Sequence, residues 1–195
     1  TEPGAGSDVS AVAATAVRDG DEWVLNGEKW FVTSEGDPGF YIVLAVADGE
    51  QTLFIVEPGT PGLELTRVPG FLHDPYLDHH PEIVLRDCRV PDANVLGPVG
   101  QGYKIAIETL NEGRIGIGAQ MIGVAQGALD HAIIYTKERK QFGKAIAEFQ
   151  AVQHQIARAA TELEAARLMV YDAARRRDAR EPRVRGLRRN VGRRR

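Results

Sequence analysis

The chain has 195 residues, 43% of them hydrophobic and 26% charged, with a formal net charge of −3. This is ordinary globular composition, long enough for one domain or two small ones with a sizeable core. No apolar run approaches the ~18 residues of a membrane span, and the N-terminus lacks the basic and apolar regions of a signal peptide. The single cysteine, Cys88, excludes an intrachain disulfide, so a reduced, cytoplasmic setting is the default expectation. The charge is unevenly spread. Residues 175–195 hold 11 arginines against Asp178 and Glu181, a local +9, which leaves −12 on residues 1–174. An acidic body of this kind argues against a nucleic-acid-binding surface.

The first element is a loop, Thr1-Glu-Pro-Gly-Ala-Gly-Ser-Asp8. Gly4, Ala5 and Gly6 let the main chain press close to a flat or anionic ligand. Ser7 adds a hydroxyl, and Asp8 an acceptor that can brace the turn. Chains rarely begin inside a binding loop, so a preceding segment is expected. Antiparallel β follows. Glu22–Leu25 and Lys29–Thr33 flank Asn26-Gly27, which predicts a hairpin turn. Further strands are predicted at Phe40–Val46, Thr52–Glu57, Leu63–Val68 and Glu82–Val90, separated by turn signals such as Pro58-Gly59-Thr60-Pro61-Gly62. Strands at this spacing without intervening helices predict a sandwich or barrel, with Cys88 a buried strand thiol.

The period becomes helical after Pro91 and a glycine-rich lead-in of Gly97, Gly100 and Gly102. Ile117, Met121, Val124, Ala128, Ala132 and Tyr135 share one face at spacings of three and four. Gly116, Gly118, Gly123 and Gly127 each cost about 1 kcal/mol of helix propensity, and close approach of a neighbouring helix or ligand is the expected reason. A second helix repeats Phe149, Ile156, Leu163 and Val170 every seven residues, with Val152, Ala159, Ala166 and Ala173 three places on. That is a seam for an antiparallel partner. The expected class is α+β: an antiparallel β-barrel or sandwich domain over residues 1–96, then part of a helical bundle over 97–177, left unfinished because two helices cannot bury both apolar faces. Residues 178–195 form an Arg-rich tail, solvated and disordered by composition or the product of an altered reading frame near residue 182.

Six ordered motifs carry a resemblance: Thr1–Asp8 (TEPGAGSD), Leu25–Ser34 (LNGEKWFVTS), Val90–Gly97 (VPDANVLG), Gly100–Lys104 (GQGYK), Leu110–Gly118 (LNEGRIGIG) and Glu138–Lys144 (ERKQFGK). From Thr1 to about Pro182 the sequence resembles the acyl-CoA dehydrogenases, FAD-dependent flavoenzymes, and looks closest to the short- and branched-chain members. The resemblance implies that Thr1, Gly6 and Ser7 meet the flavin, with Ser7 between FAD and substrate. It implies a strand along the flavin ring in which Phe31 is the aromatic neighbour, Val32 follows, and Thr33 hydrogen-bonds near N5. Ordinary strand packing is the alternative for Phe31. Tyr103, Asn111, Glu112 and Arg114 match positions that line the acyl-CoA site, the alternative for Arg114 being a salt bridge with Glu108 or Glu112. Arg139, Gln141, Phe142 and Gln150 match positions that reach FAD bound in a neighbouring subunit. Complementing a helix dipole is the alternative for the Lys137, Arg139, Lys140 cluster. Borrowed residues of this kind imply a homo-oligomer, a tetramer or dimer.

The implied reaction is α,β-dehydrogenation of an acyl-CoA thioester, a carboxylate removing the α-proton while the flavin accepts the β-hydrogen with its electron pair. Electrons then pass to an electron-transferring flavoprotein. Family members place the base late in the chain or immediately before the arginine matched by Arg114. Here that second position is Gly113, and Glu112 is one helical step, about 100°, away. No catalytic residue is therefore assigned within these residues. The base is expected in a further C-terminal segment, and a helical domain is separately expected before the first loop, so the chain reads as an internal fragment. His73-Asp74-Pro75-Tyr76-Leu77-Asp78-His79-His80 could bind a metal, but a polar loop is the plainer reading and no metal is assigned. Gly97–Gly102 fails the dinucleotide-binding glycine pattern. A flavin monooxygenase or acyl-CoA oxidase on the same scaffold, and a non-catalytic interaction protein using the bundle seam, stay open.

Overall fold

The computed structural model of the chain describes residues 1–33, 38–70 and 80–179. It divides into two compact units, Thr1–Glu108 and Thr109–Arg195. His73–His79 of the possible metal loop, and the tail from Arg180, lie outside the described residues.

The first unit is built on one seven-stranded sheet. Its strands are β1 Thr15–Asp19, β2 Glu22–Lys29, β3 Tyr41–Ala47, β4 Glu50–Val56, β5 Leu63–Arg67, β6 Glu82–Pro91 and β7 Val95–Leu96, in the order β5-β6-β2-β1-β3-β4-β7. The α+β class stands, but the sheet is open and not a closed barrel. It is also not wholly antiparallel: β1 runs parallel to β3 through Thr15↔Val46 and Ala16↔Ala47. Alternation decides which face is dry. Trp23 and Leu25 of β2, Val43, Ala45 and Ala47 of β3, and Phe54 and Val56 of β4 all point into one core. Trp23 meets Phe54 edge-on at 5.5 Å, and its indole N–H donates to Asp92 Oδ1 at 2.7 Å, so a large buried ring keeps its one polar atom paired.

Asn26-Gly27 is not a hairpin turn. The β1–β2 reversal falls at Gly20-Asp21, with Gly20 at φ 66. Asn26 and Gly27 sit inside β2, where the register against β6 shifts between Leu25 and Gly27. The opposite side of the irregularity is Asp87 at φ 46. Asn26 holds it by accepting from the Asp87 N–H at 2.8 Å and donating to Asp87 Oδ1 at 3.1 Å. The extra residue re-phases β6, whose buried positions run Ile83, Leu85 and then Cys88, Val90. Cys88 is a fully buried thiol, as expected. The predicted strand Lys29–Thr33 is also shorter, since β2 ends at Lys29 and Trp30–Thr33 leave the sheet.

The helical elements are α1 Gly102–Glu138 and α2 Gln150–Asp178, joined by a two-stranded hairpin, β8 Lys140–Gln141 and β9 Lys144–Ala145. Within the second unit the pairing of α1 and α2 is antiparallel. Glu112 pairs with Arg177, a Cβ at Gly118 would stand 3.0 Å from Val170 Cγ2, and Arg167 donates to Gln126 at 2.7 Å. The α2 seam is half-buried at Phe149, Val152, Ile156, Leu163, Ala166, Val170 and Ala173, while Ala159 is exposed. The α1 expectation inverts. Ile117, Met121, Val124 and Tyr135 are 51–63% exposed, and the covered side carries Ile115, Gly118, Ile122, Leu129 and Thr136. Periodicity identified an apolar face but could not say which of two faces α2 would cover. Of Gly116, Gly118, Gly123 and Gly127, Gly118 alone would bring a Cβ within 4 Å of a neighbour among the described residues.

Candidate functional site

The loop Thr1–Asp8 is a tight turn pinned at three points. Glu2 N–H donates to Ala5 O at 2.9 Å and Ala5 N–H returns to Glu2 O at 3.1 Å, across Pro3-Gly4. Asp8 braces the following turn, accepting from Ser10 N at 3.0 Å and from Ser10 Oγ. Thr1 O accepts from Trp30 N at 2.8 Å, which ties the loop to the segment leaving β2.

The strongest tie is a buried ion pair. Lys29 Nζ donates to Glu2 Oε1 at 2.5 Å and to Leu44 O at 2.5 Å, and both side chains are under 10% exposed. Glu2 also accepts from the Ala13 and Ala14 N–H groups at 2.6 and 3.2 Å. One carboxylate thus joins the loop, the segment before β1, the end of β2 and, through Lys29, β3. Burial pushes the Glu2 carboxyl up, but Lys29 and the two N–H donors together outweigh it and hold the group below the ordinary carboxylate range. Burial lowers the Lys29 ammonium, with Glu2 pulling the other way. Residue pattern held a signal for this pair: Lys29 falls on the inward parity of Trp23 and Leu25, and a buried lysine needs a buried acid.

Beyond Lys29 the chain makes a constrained excursion. Phe31 takes φ 56, rare for an aromatic, and its side chain stays half-exposed. Val32 N–H donates to Pro81 O at 2.9 Å, and Thr33 N–H to Phe31 O at 3.0 Å. The Thr33 hydroxyl lies 2.9 Å from His80 Nδ1. A cleft of about 250 Å³ opens here, lined by Thr1, Gly6, Phe31, Val32 and Ile42 among others. Nothing within 4 Å would meet a Cβ at Gly6, so this edge of the loop is open. Ser7 is exposed and does not line the cleft. Strained backbone kept in place by its surroundings clusters at ligand sites. An aromatic face, open backbone and a hydroxyl together suit a flat heteroaromatic ring with polar edges.

The remaining candidates stand in other groups. Tyr103, on the first turn of α1, is half-exposed. Arg114 donates to Asn111 Oδ1 at 2.5 Å, and Glu112, one of the two acids in the salt-bridge alternative, is engaged by Arg177. Arg139 precedes the β8–β9 hairpin, with its N–H on Tyr135 O and its carbonyl taking Ile146 N–H, both at 2.8 Å. Phe142 at the tip has φ 53, is 92% exposed and meets Phe149 edge-on at 6.2 Å, while Lys144 covers the Phe149 ring at 4.4 Å. The Gln141 side-chain amide donates to Lys140 O at 2.8 Å, and Gln150 opens α2, exposed. Of the residues the sequence pointed to for a flavin, the structure brings Thr1, Gly6, Phe31 and Val32 to one cleft, with Thr33 next along the chain; Glu2 and Lys29, and His80 as a neighbour of Thr33, were not singled out for it.

Comparison with known proteins follows the same division. Residues 1–75 match the family model for the acyl-CoA dehydrogenase middle domain, and residues 100–191 that for the acyl-CoA dehydrogenase C-terminal domain. The second match passes Pro182, so the resemblance does not stop where the sequence reading ended it. The short/branched chain specific acyl-CoA dehydrogenase, mitochondrial, of Bos taurus is 45% identical over 189 residues, 94% of this chain and 44% of the relative. The solved butyryl-CoA dehydrogenase of Megasphaera elsdenii superposes with a TM-score of 0.86 at 40% identity, over 93% of this chain and 49% of that one. A chain in the structure of the electron transferring flavoprotein of Acidaminococcus fermentans gives 0.85 and 44%, over 93% and 49%. The chain spans about half the length of the curated relatives it matches. Two domain models of one family, met in order along most of the sequence, establish that this chain belongs to the acyl-CoA dehydrogenase family.

Proposed function

We propose that the chain supplies the flavin-contacting sheet and the first bundle helices of an FAD-dependent dehydrogenase acting on short or branched acyl-CoA thioesters. The observation that carries this reading is the cleft in which Phe31, held at φ 56, shares a wall with Thr1 and Gly6. The donor set fits a flavin: a ring face for the isoalloxazine, an open glycine edge for close backbone approach and a threonine hydroxyl beside it. Bound FAD would supply the two-electron acceptor. The chain's own residues orient and enclose it, Phe31 and Val32 excluding water from the ring. Ser7, Tyr103, Asn111, Glu112 and Arg114 serve the acyl-CoA side. Arg139, Gln141, Phe142 and Gln150 serve a cofactor held by another subunit, so the working form is a homo-oligomer, a tetramer or dimer, in the cytoplasm. The likeness to a chain in an electron transferring flavoprotein structure supports such a flavoprotein as electron partner. Glu112 is not assigned as the base: it faces Arg177 in an ion pair and stands one helical step, about 100°, from the position immediately before Arg114.

Titrating FAD into the chain tests the reading, with flavin fluorescence as the signal. Saturable quenching is expected, and Phe31→Ala weakens it about 5-fold or more, the effect of losing one aromatic contact. A folded chain that leaves the fluorescence unchanged overturns the reading.

A further inference from the structure

Thr33 carries a hydroxyl at the strained turn after β2, and that hydroxyl meets an imidazole. The contact is 2.9 Å between Oγ1 and His80 Nδ1. Both ends are fixed by backbone. Thr33 N–H closes onto Phe31 O at 3.0 Å, and Val32 N–H donates to Pro81 O at 2.9 Å, which sets the segment carrying Thr33 against the residue following His80. Pro81 is fully buried, and its ring fixes φ where β6 is about to begin. Thr33 and His80 are 47 positions apart in sequence, and the fold brings them together at one point.

A threonine hydroxyl has one proton and two lone pairs, and a neutral imidazole nitrogen carries either a proton or a lone pair. When Nδ1 donates, the Thr33 proton is free to point elsewhere. When Nδ1 accepts, the proton is spent on His80 and only lone pairs remain for another partner. The imidazole therefore governs which hydrogen-bonding face Thr33 presents. That choice has chemical meaning at a flavin edge, because an oxidised isoalloxazine carries a lone pair at N5 and a reduced one an N–H. A hydroxyl with an inert partner suits one form only. A hydroxyl paired with an imidazole can suit either, and hydrogen bonds in a chain strengthen one another.

We propose that His80 is a positioning residue for the Thr33 hydroxyl, holding it at the flavin edge and letting it act as donor or acceptor. This rests on the flavin reading of the cleft. Sequence alone could not reach it, since His80 falls within a run of imidazoles and carboxylates whose obvious reading is a metal site or a polar loop.

The test is a double-mutant cycle on the whole chain with FAD as the probe, binding being read from fluorescence quenching and folding from far-UV circular dichroism. Thr33→Val and His80→Ala are each expected to weaken FAD binding about 3- to 10-fold, the weight of one net hydrogen bond. The double variant is expected to be no weaker than Thr33→Val alone. His80→Asn, whose amide stands near the Nδ1 position and can donate or accept, restores binding to within about 2-fold of wild type. If His80→Ala does not fold, His80→Gln takes its place, since its amide reaches past the Nδ1 position. Wild-type quenching with unchanged affinity in the His80 variant, or with losses that multiply in the double variant, overturns the role of His80 and leaves the flavin reading intact. A folded wild type that does not bind FAD removes the flavin reading and the role of His80 with it.

Discussion

Glu2→Gln leaves the Lys29 ammonium in the same dry pocket with its neighbours Leu44 O and a neutral amide. Breaking one side of a buried pair costs about 3 kcal/mol, whereas replacing both sides by apolar groups costs far less. Urea unfolding of the first unit is therefore expected to show a large loss for Glu2→Gln and a partial recovery in Glu2→Leu/Lys29→Met. The pair also sets an acid limit. Glu2 titrates below its ordinary 4.5 in the folded chain, so its contribution is complete above that pH and is lost as pH falls through the lowered value. Glu82, lowered mainly by its hydrogen bonds from Arg67, acts in the same direction. Unfolding midpoints measured against pH should fall below about pH 4.5 and fall less steeply in Glu2→Gln. Residue identities in the loop were legible from the small residues of Thr1–Asp8. Their anchor was not, because the acid and its lysine are 27 positions apart and only sheet pairing brings them together.

At the scale of elements, space around each glycine separates two kinds. A Cβ on Gly102 would come within 2.7 Å of Thr52 backbone atoms, so Gly102→Ala pushes the start of α1 off β4 and is expected to cost about 2 kcal/mol. Gly123 and Gly127 have nothing within 4 Å. Gly123→Ala and Gly127→Ala should each stabilise α1 by about 1 kcal/mol, read as a higher melting temperature by circular dichroism. Gly118→Ala gains little, because Val170 must yield. The helices were plain in the sequence because their apolar repeats run for several turns. The Asn26-Gly27 hairpin was misplaced for a definite reason: the dipeptide signals unusual backbone, and a strand irregularity uses that freedom as readily as a turn. The open sheet edge and the parallel β1–β3 pair left no local trace, since both are set by strand order.

For the molecule as a whole, the candidate residues fall into groups that do not include an unoccupied carboxylate base. Glu112 is paired with Arg177, and residue 113 is glycine. The chain is therefore expected to bind FAD without turning it over. Adding short and branched acyl-CoA thioesters anaerobically should leave the flavin absorbance unbleached, and bleaching by the chain alone would show that its own residues supply a base. Family and class were legible over most of the length because six motifs keep their order. What each candidate residue touches in a working enzyme was not, since half the length of the relatives contributes to it.

Phe31 sets two kinds of selection against each other. Glycine is at ease at φ 56 and an aromatic is not, so Phe31→Gly relieves local strain on the order of 1 kcal/mol. Laboratory evolution of this chain for heat resistance alone should drift toward glycine there and discard the ring. A library screened instead for capture of a yellow cofactor should keep the aromatic. Sequencing position 31 after each regime would show whether the bent backbone serves the fold or is tolerated on behalf of its guest.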